Sequence, residues 1–301
     1  RKKFAVQFSV GALVWAAGYR VDLLSNPFGP AWELGWMSLP VTLLWVAGVI
    51  NALNLIDGLD GLAGGVAVFV LGTLFALGYL QDRVLVMLFC AALGGATVGF
   101  LFYNFNPATI FMGDTGSLFL GFVVSVMSIQ GSQKSSTAVA VAIPLLALGL
   151  PLADTALAMF RRLLRGRNPF HADREHIHHK LLDMGFTHRQ AVLVLYGASF
   201  LLALCAFALT FLNSAEASAL LVAVGIVAGA VFHRMGYLQL RTLRHEVTVG
   251  RATTRALKEK RERISTILPA RDTPYDAHEF LEALTQCAPL VGYVTVTLVL
   301  R

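Results

Sequence analysis

The sequence predicts an all-α, polytopic integral membrane protein of about eight transmembrane helices in this chain, with a small cytoplasmic extension at its C-terminus. Three observations carry that prediction. Of 301 residues, 56% are hydrophobic and only 14% charged, and the mean hydropathy is +0.66. A soluble domain whose surface must carry charge is rarely so apolar. The apolar residues also gather into runs of about 17 to 25, the length that crosses a bilayer as a helix. Finally, the basic residues collect in alternate loops, as the positive-inside rule requires.

Spans are read near 4–24, 37–54, 63–80, 84–103, 117–132, 137–159, 190–212 and 217–235. Residues 1–236 form the transmembrane core on this reading, and 237–301 form the tail. Arg1, Lys2 and Lys3 precede the first span; Arg161, Arg162, Arg165, Arg167, Arg174, Lys180 and Arg189 fill the loop after the sixth. The alternate loops carry only Arg20, Arg83 and Lys134. Placing the basic loops inside puts 51–62, 104–116 and 160–189 together on the cytoplasmic face. The net charge of +6 then reflects topology and attraction to anionic lipid head groups, with no nucleic acid required.

Cys90 and Cys205 sit within apolar runs and Cys287 in the tail, without disulfide or zinc spacing. They read as small hydrophobes. No cleavable signal peptide is visible, and the chain opens on Arg1 rather than Met. The external loop 20–36, with Asn26, Pro27, Gly29 and Pro30, reads as a turn-rich hairpin without chemistry. In the tail, 250–266 reads as a short charged helix at the membrane surface, and the segment from Gly292 alternates as a strand does.

Chemistry is expected in the three cytoplasmic loops. Asn51, Asn54, Asp57 and Asp60 recur every three residues where a hydrophobic run ends. Oxygen donors beside a membrane span are costly to desolvate unless they meet a cation, a substrate or water. Helix capping with a glycine-rich turn explains one or two of the four, not the set. In the second loop Asn104, Phe111 and Asp114 lead into another apolar run. Asp114 lies between Gly113 and Gly116 and suits Mg²⁺, which takes one or two carboxylates plus substrate phosphates. The third loop crowds arginines with His176, His178 and His179. No cysteine or second histidine pair completes a zinc set, and donors to a pyrophosphate or leaving group fit better. Asp154, in the preceding span, is expected to pair with Arg161 or Arg162, as a structural ion pair or with a direct role.

Together NALNLIDGLDGLAGG, NFNPATIFMGDTGS and PFHADREHIHHKLL resemble the polyprenyl-phosphate N-acetylhexosamine-1-phosphate transferases, over roughly residues 1–235. The histidine motif at 176–179 resembles the WecA/TagO branch rather than the MraY branch. The resemblance implies transfer of a sugar 1-phosphate, with GlcNAc-1-phosphate expected, from a UDP-sugar to undecaprenyl phosphate with release of UMP. It implies a bacterial inner-membrane location and a role initiating a cell-envelope polysaccharide. It implies Mg²⁺, with Mn²⁺ as a substitute, and leaves a homodimer open. By the same resemblance Asp114 binds the metal and Phe111 stacks on uracil. Asn51, Asn54, Asp57 and Asn104 line the nucleotide-sugar cleft, Asp60 is the second acid of its motif, and the three histidines lie near the diphosphate. The family's Asp-Asp pair falls upstream of Arg1, so the chain is expected to lack about three N-terminal helices that supply it.

Two other classes share part of this pattern. A secondary transporter gathers polar groups near mid-membrane, often within repeats. A Mg²⁺-dependent membrane prenyltransferase spaces its acids four apart and lacks the histidine cluster.

Overall fold

The computed structural model describes residues 2–24, 32–132, 142–164 and 176–234, with Glu259, Glu262, Glu282 and 285–287 in the tail. The chain divides into two compact units: residues 1–161 with 168–238, and 162–167 with 239–301. The first holds the helices that follow, apart from residues 162–164 at the end of α7. The tail helix and strand expected at 250–266 and beyond Gly292 lie, apart from Glu259 and Glu262, outside the described residues.

Ten helices occur among the described residues: α1 (Lys2–Ala16), α2 (Ser38–Ile56), α3 (Leu62–Leu80), α4 (Val84–Asn104), α5 (Gly113–Ser132), α6 (Ala142–Ala147), α7 (Gly149–Leu164), α8 (Ile177–Asp183), α9 (His188–Ala208) and α10 (Ser214–Arg234). Their lengths follow from uninterrupted apolar sequence. Their ends fall at glycines and polar residues. Five of them, α2 with the turn at its start, α3, α4, α9 and α10, are long and apolar enough to cross a membrane. The protein is an all-α polytopic membrane protein.

The structure corrects three of the expected spans. The one placed at 4–24 stops at Ala16, because Gly18 turns the chain with φ of 90°. The one placed at 117–132 begins at Gly113, which draws Asp114 into the first turn of α5. The run at 137–159 is divided, with α6 ending at Ala147 and α7 beginning at Gly149. In the loop at 20–36, β1 (Leu23–Leu24) and β2 (Trp32–Glu33) pair antiparallel, with Leu23 opposite Glu33, the strand pairing of the expected hairpin.

Helix α3 is the centre of the bundle. Two thirds of its span (67%) is buried, against 17% for α4 and 6% for α10, so these two helices lie at the edge of the described bundle. Polar side chains join the buried helices where lipid offers no competing partner. Trp45 of α2 donates its indole N–H to Ser128 Oγ of α5 at 3.0 Å. Gln7 of α1 and Asn51 of α2 exchange amide hydrogen bonds, the shorter at 2.7 Å. Close backbone approach fixes α2 against α5. A Cβ added to Gly121 would lie 2.7 Å from the Ile50 Cα. Backbone cannot rotate aside as a side chain can.

Gly121→Ala is therefore expected to destabilise the detergent-solubilised protein by about 1–3 kcal/mol, whereas Gly95→Ala, inside α4 with open space around it, should leave the midpoint unchanged or raise it by about 2–4 °C. Thermal unfolding of the two variants checks this, and equal midpoints would refute the close-packing account.

Candidate active site

The C-terminal end of α2, the start of α3, the end of α4 and the start of α5 meet at one end of the bundle, joined there by the N-terminal turns of α1 and α9 and by α8. Most of their hydrogen bonds cross between segments more than forty residues apart in sequence.

Asn54, in the last turns of α2, is the joint. Its Nδ2 donates to Asp114 Oδ1 at 3.0 Å and to Ser117 Oγ at 2.9 Å, both on α5. Its Oδ1 accepts from Lys3 Nζ of α1 at 2.6 Å. Lys3 also stands 3.9 Å from Asp114 Oδ2. With the Asp114 side chain 80% exposed, that ion pair contributes little stability, but it leaves the carboxylate open to a ligand. Asp114 occupies the first turn of α5, where the helix dipole favours negative charge.

Asp57 follows directly as the residue that ends α2. Partial burial, then the negative charges of Asp114 and Asp60, push its carboxyl up from 3.8 to about 6. Three acids therefore share one small region, and repulsion among them is relieved by proton or cation.

Gly58, next in sequence, packs so closely on the imidazole of His178 that any Cβ there would collide with Nε2. This contact brings the histidine segment to the acids. The three histidines are not equivalent. His176 gives Nδ1 to a 2.8 Å bond with Asp154 Oδ2 of α7, and the other carboxylate oxygen accepts the Ile177 N–H at 2.9 Å. This histidine partner of Asp154 carries no signal in the sequence. His178 is 1% exposed. Burial, then the adjacent His179, lowers its pKa to about 4, so it is neutral at pH 7. The ring lies parallel to His176 at 5.8 Å and 4.3 Å from His179, and its Nδ1 is buried with no hydrogen-bond partner among the described residues. His179 is the most open of the three.

Asn104 and Asp60 are engaged differently. Asn104, buried, accepts the Gly61 N–H at 3.0 Å and donates to the Ile110 carbonyl at 2.9 Å. Gly61 has φ of 80°, a left-handed conformation that glycine adopts without strain. Its carbonyl accepts from the Tyr196 hydroxyl at 2.6 Å. Asp60 Oδ2 accepts from Asn106 Nδ2 at 3.0 Å and from the Ala108 N–H at 3.2 Å. Arg189 Nε donates to the Asn106 carbonyl at 2.9 Å. The loop so held carries Phe111, which is 72% exposed. Asn51 is engaged with Gln7 and with the Ala47 carbonyl.

Of the ten residues singled out in sequence, Asn54, Asp57, Asp114 and His178 thus converge most directly. Lys3, Gln7, Asn106, Ser117, Arg189 and Tyr196 belong to the same cluster and were not singled out. Lys3 and Arg189 read in sequence only as topology charges. The other four carry no spacing signal.

Among the described residues, no three acid, histidine or cysteine side chains stand ready to enclose a metal together. Magnesium does not demand such a cage, because it commonly keeps several waters and takes one or two carboxylates with substrate phosphates. The charge-coupled carboxylates of Asp57 and Asp114, the latter open to solvent, fit that donor set.

The fold and this cluster define a multi-pass membrane protein with a carboxylate-bearing polar site at one end of its bundle. The family model for glycosyl transferase family 4 matches residues 1–132 of this chain. It is 44% identical over 208 residues to a Bacillus subtilis protein described as a probable undecaprenyl-phosphate N-acetylglucosaminyl 1-phosphate transferase, covering 69% of this chain and 58% of that one. It is 36% identical over 206 residues to the Yersinia pestis undecaprenyl-phosphate alpha-N-acetylglucosaminyl 1-phosphate transferase, covering 66% and 56%. It is 33% identical over 251 residues to the Mycolicibacterium smegmatis decaprenyl-phosphate N-acetylglucosaminephosphotransferase, covering 76% and 62%. The matched segment thus spans under two thirds of each relative's length.

Folding raises the Asp57 pKa, so the native state binds more protons than the unfolded chain between pH 3.8 and about 6, and this group's contribution to stability falls as pH rises through that window. Asp57→Asn removes the penalty. Without divalent cations, the variant should melt about 1–3 °C above the parent at pH 8 after allowance for solvent screening, and the gain should vanish near pH 4. A pH series of thermal midpoints tests this, and a variant less stable than the parent at pH 8 would contradict it.

Proposed function

We propose that the whole protein transfers GlcNAc 1-phosphate from UDP-GlcNAc to undecaprenyl phosphate, releasing UMP, with the site on the cytoplasmic side of the bacterial inner membrane. An oxygen of the lipid phosphate attacks the sugar-bearing β-phosphorus. The bond from that phosphorus to the oxygen bridging the two phosphates breaks, and UMP leaves with the bridging oxygen. Such a reaction is mostly positioning and charge neutralisation.

The observation that carries this reading is the Asn54 bridge, which sets Asp114 at the start of α5 beside Asp57 at the end of α2. Asp57 and Asp114 would hold Mg²⁺, which neutralises phosphate charge. Lys3 adds a fixed cation beside Asp114. The exposed ring of Phe111 offers a stacking surface to a base, and His179 offers a donor to the diphosphate. His176 and His178 shape the wall behind it. The relatives' names, which join a polyprenyl phosphate to N-acetylglucosamine, support the same pair of substrates. Lys3, Lys180 and Arg189 near the polar site support the orientation, the basic residues beyond 236 in the sequence support a cytoplasmic tail, and the apolar runs support eight spans. A transporter or a prenyltransferase is the reading that would replace this one.

The test is exchange of labelled UMP into UDP-GlcNAc by the full-length gene product with undecaprenyl phosphate and Mg²⁺. Exchange is expected, to be lost on chelation and regained with Mg²⁺. Asp114→Asn keeps an acceptor for Asn54 but loses the charge, and should cost at least ~100-fold. Cys90→Ala should stay near parental. No exchange, together with a solute gradient or a prenylated product, would overturn the proposal.

A further inference from the structure

Asp57 and Asp60 belong to one sequence motif three residues apart, yet the structure gives them different surroundings. Asp57 ends a helix beside Asp114. Asp60 faces the other way along the loop, toward residues 105–110. Its Oδ2 accepts both the Asn106 side-chain amide and the Ala108 backbone N–H, two donors separated from it by more than forty residues of sequence. Both belong to the turn that leads from α4 to Phe111 and Asp114.

The same turn is gripped from a third direction. Arg189, in the first turn of α9, donates to the carbonyl of Asn106, so Asn106 is held at its side chain by Asp60 and at its backbone by α9. Tyr196, two turns further along α9, holds the carbonyl of Gly61, the residue after Asp60. Asn104 ties the Gly61 N–H to the Ile110 carbonyl. Asp60, Asn104, Asn106, Arg189 and Tyr196 thus form one network linking the starts of α3 and α9 to the turn.

We infer that Asp60 is a positioning residue, an anionic clasp that sets the 105–112 turn and through it Phe111 and Asp114, and that it neither binds the metal nor transfers a proton. The requirement is an oxygen acceptor of carboxylate shape. An asparagine carbonyl placed at Oδ2 can accept the same two donors, whereas a metal ligand or a general base cannot be replaced that way.

Two measurements on the full chain test this. Hydrogen–deuterium exchange reads the clasp without reference to activity: Asp60→Ala and Asn106→Ala should each speed exchange of the 105–112 amides at least about tenfold, Asp60→Asn should leave them near parental, and the double variant Asp60→Ala/Asn106→Ala should add little to either single one. Unchanged exchange in Asp60→Ala would overturn the clasp. The UMP-exchange assay supplies the second arm and rests on the transferase reading above. There, Asp60→Ala should lose activity and Asp60→Asn should recover it to within several-fold of the parent. Protected amides with lost activity in Asp60→Asn would mean that the charge itself takes part in the chemistry, and would overturn the assignment. If the parent shows no exchange activity, the transferase reading fails by itself while amide exchange still decides the clasp.

Discussion

The carboxamide of Asn54 is the point on which the polar end of this protein turns. It donates to Asp114 and Ser117 on α5 and accepts from Lys3 on α1, so one side chain on α2 uses both its donors and an acceptor to join three helices. An aliphatic residue there would leave Ser117, which is fully buried, without that partner, and would remove the only described bond from α2 to the Asp114 carboxylate. Separate buried and half-buried groups would then have to be satisfied by water at a membrane edge, where orphaned polar groups are costly.

Beneath that joint, hydrocarbon packing and polar bonding divide the work. The α2–α5 contact at Gly121 and Ile50 brings the two backbones together, and the Trp45–Ser128 bond fixes their rotation. At the far end, Trp15 donates to Ser38 and the Val21 N–H to Thr42, closing α1 onto the start of α2. The acids at the opposite end can then repel one another, adding to the burial that raises the pKa of Asp57, without parting the helices that carry them.

Much of this was legible beforehand. Long apolar runs bounded by glycine and polar residues gave most helices to within a few residues, because length and hydropathy govern membrane spans. The spans misjudged have local causes: a left-handed glycine at 18, a break between Ala147 and Gly149, and the inclusion of Gly113–Gly116 in α5. The acids and amides of 51–60 and Asp114 stood out because polarity is conspicuous beside lipid. The different employment of the three histidines, and of Asp57 and Asp60, was not legible. Spacing along the chain does not separate their roles, and only the tertiary neighbours distinguish them. Asn106, Arg189 and Tyr196 were invisible for the same reason, since an ordinary asparagine, a loop arginine and a helical tyrosine acquire a role only from what faces them.

The turn that carries Phe111 is fastened from α3, α4 and α9 by groups of the protein itself. A ligand arriving there would meet a wall already in place, and little conformational freedom would remain to be surrendered on docking. Recognition built this way favours a fast, template-like fit over moulding around the guest, and it makes the shape of the ring's surroundings, more than their softness, the feature that sorts one guest from another.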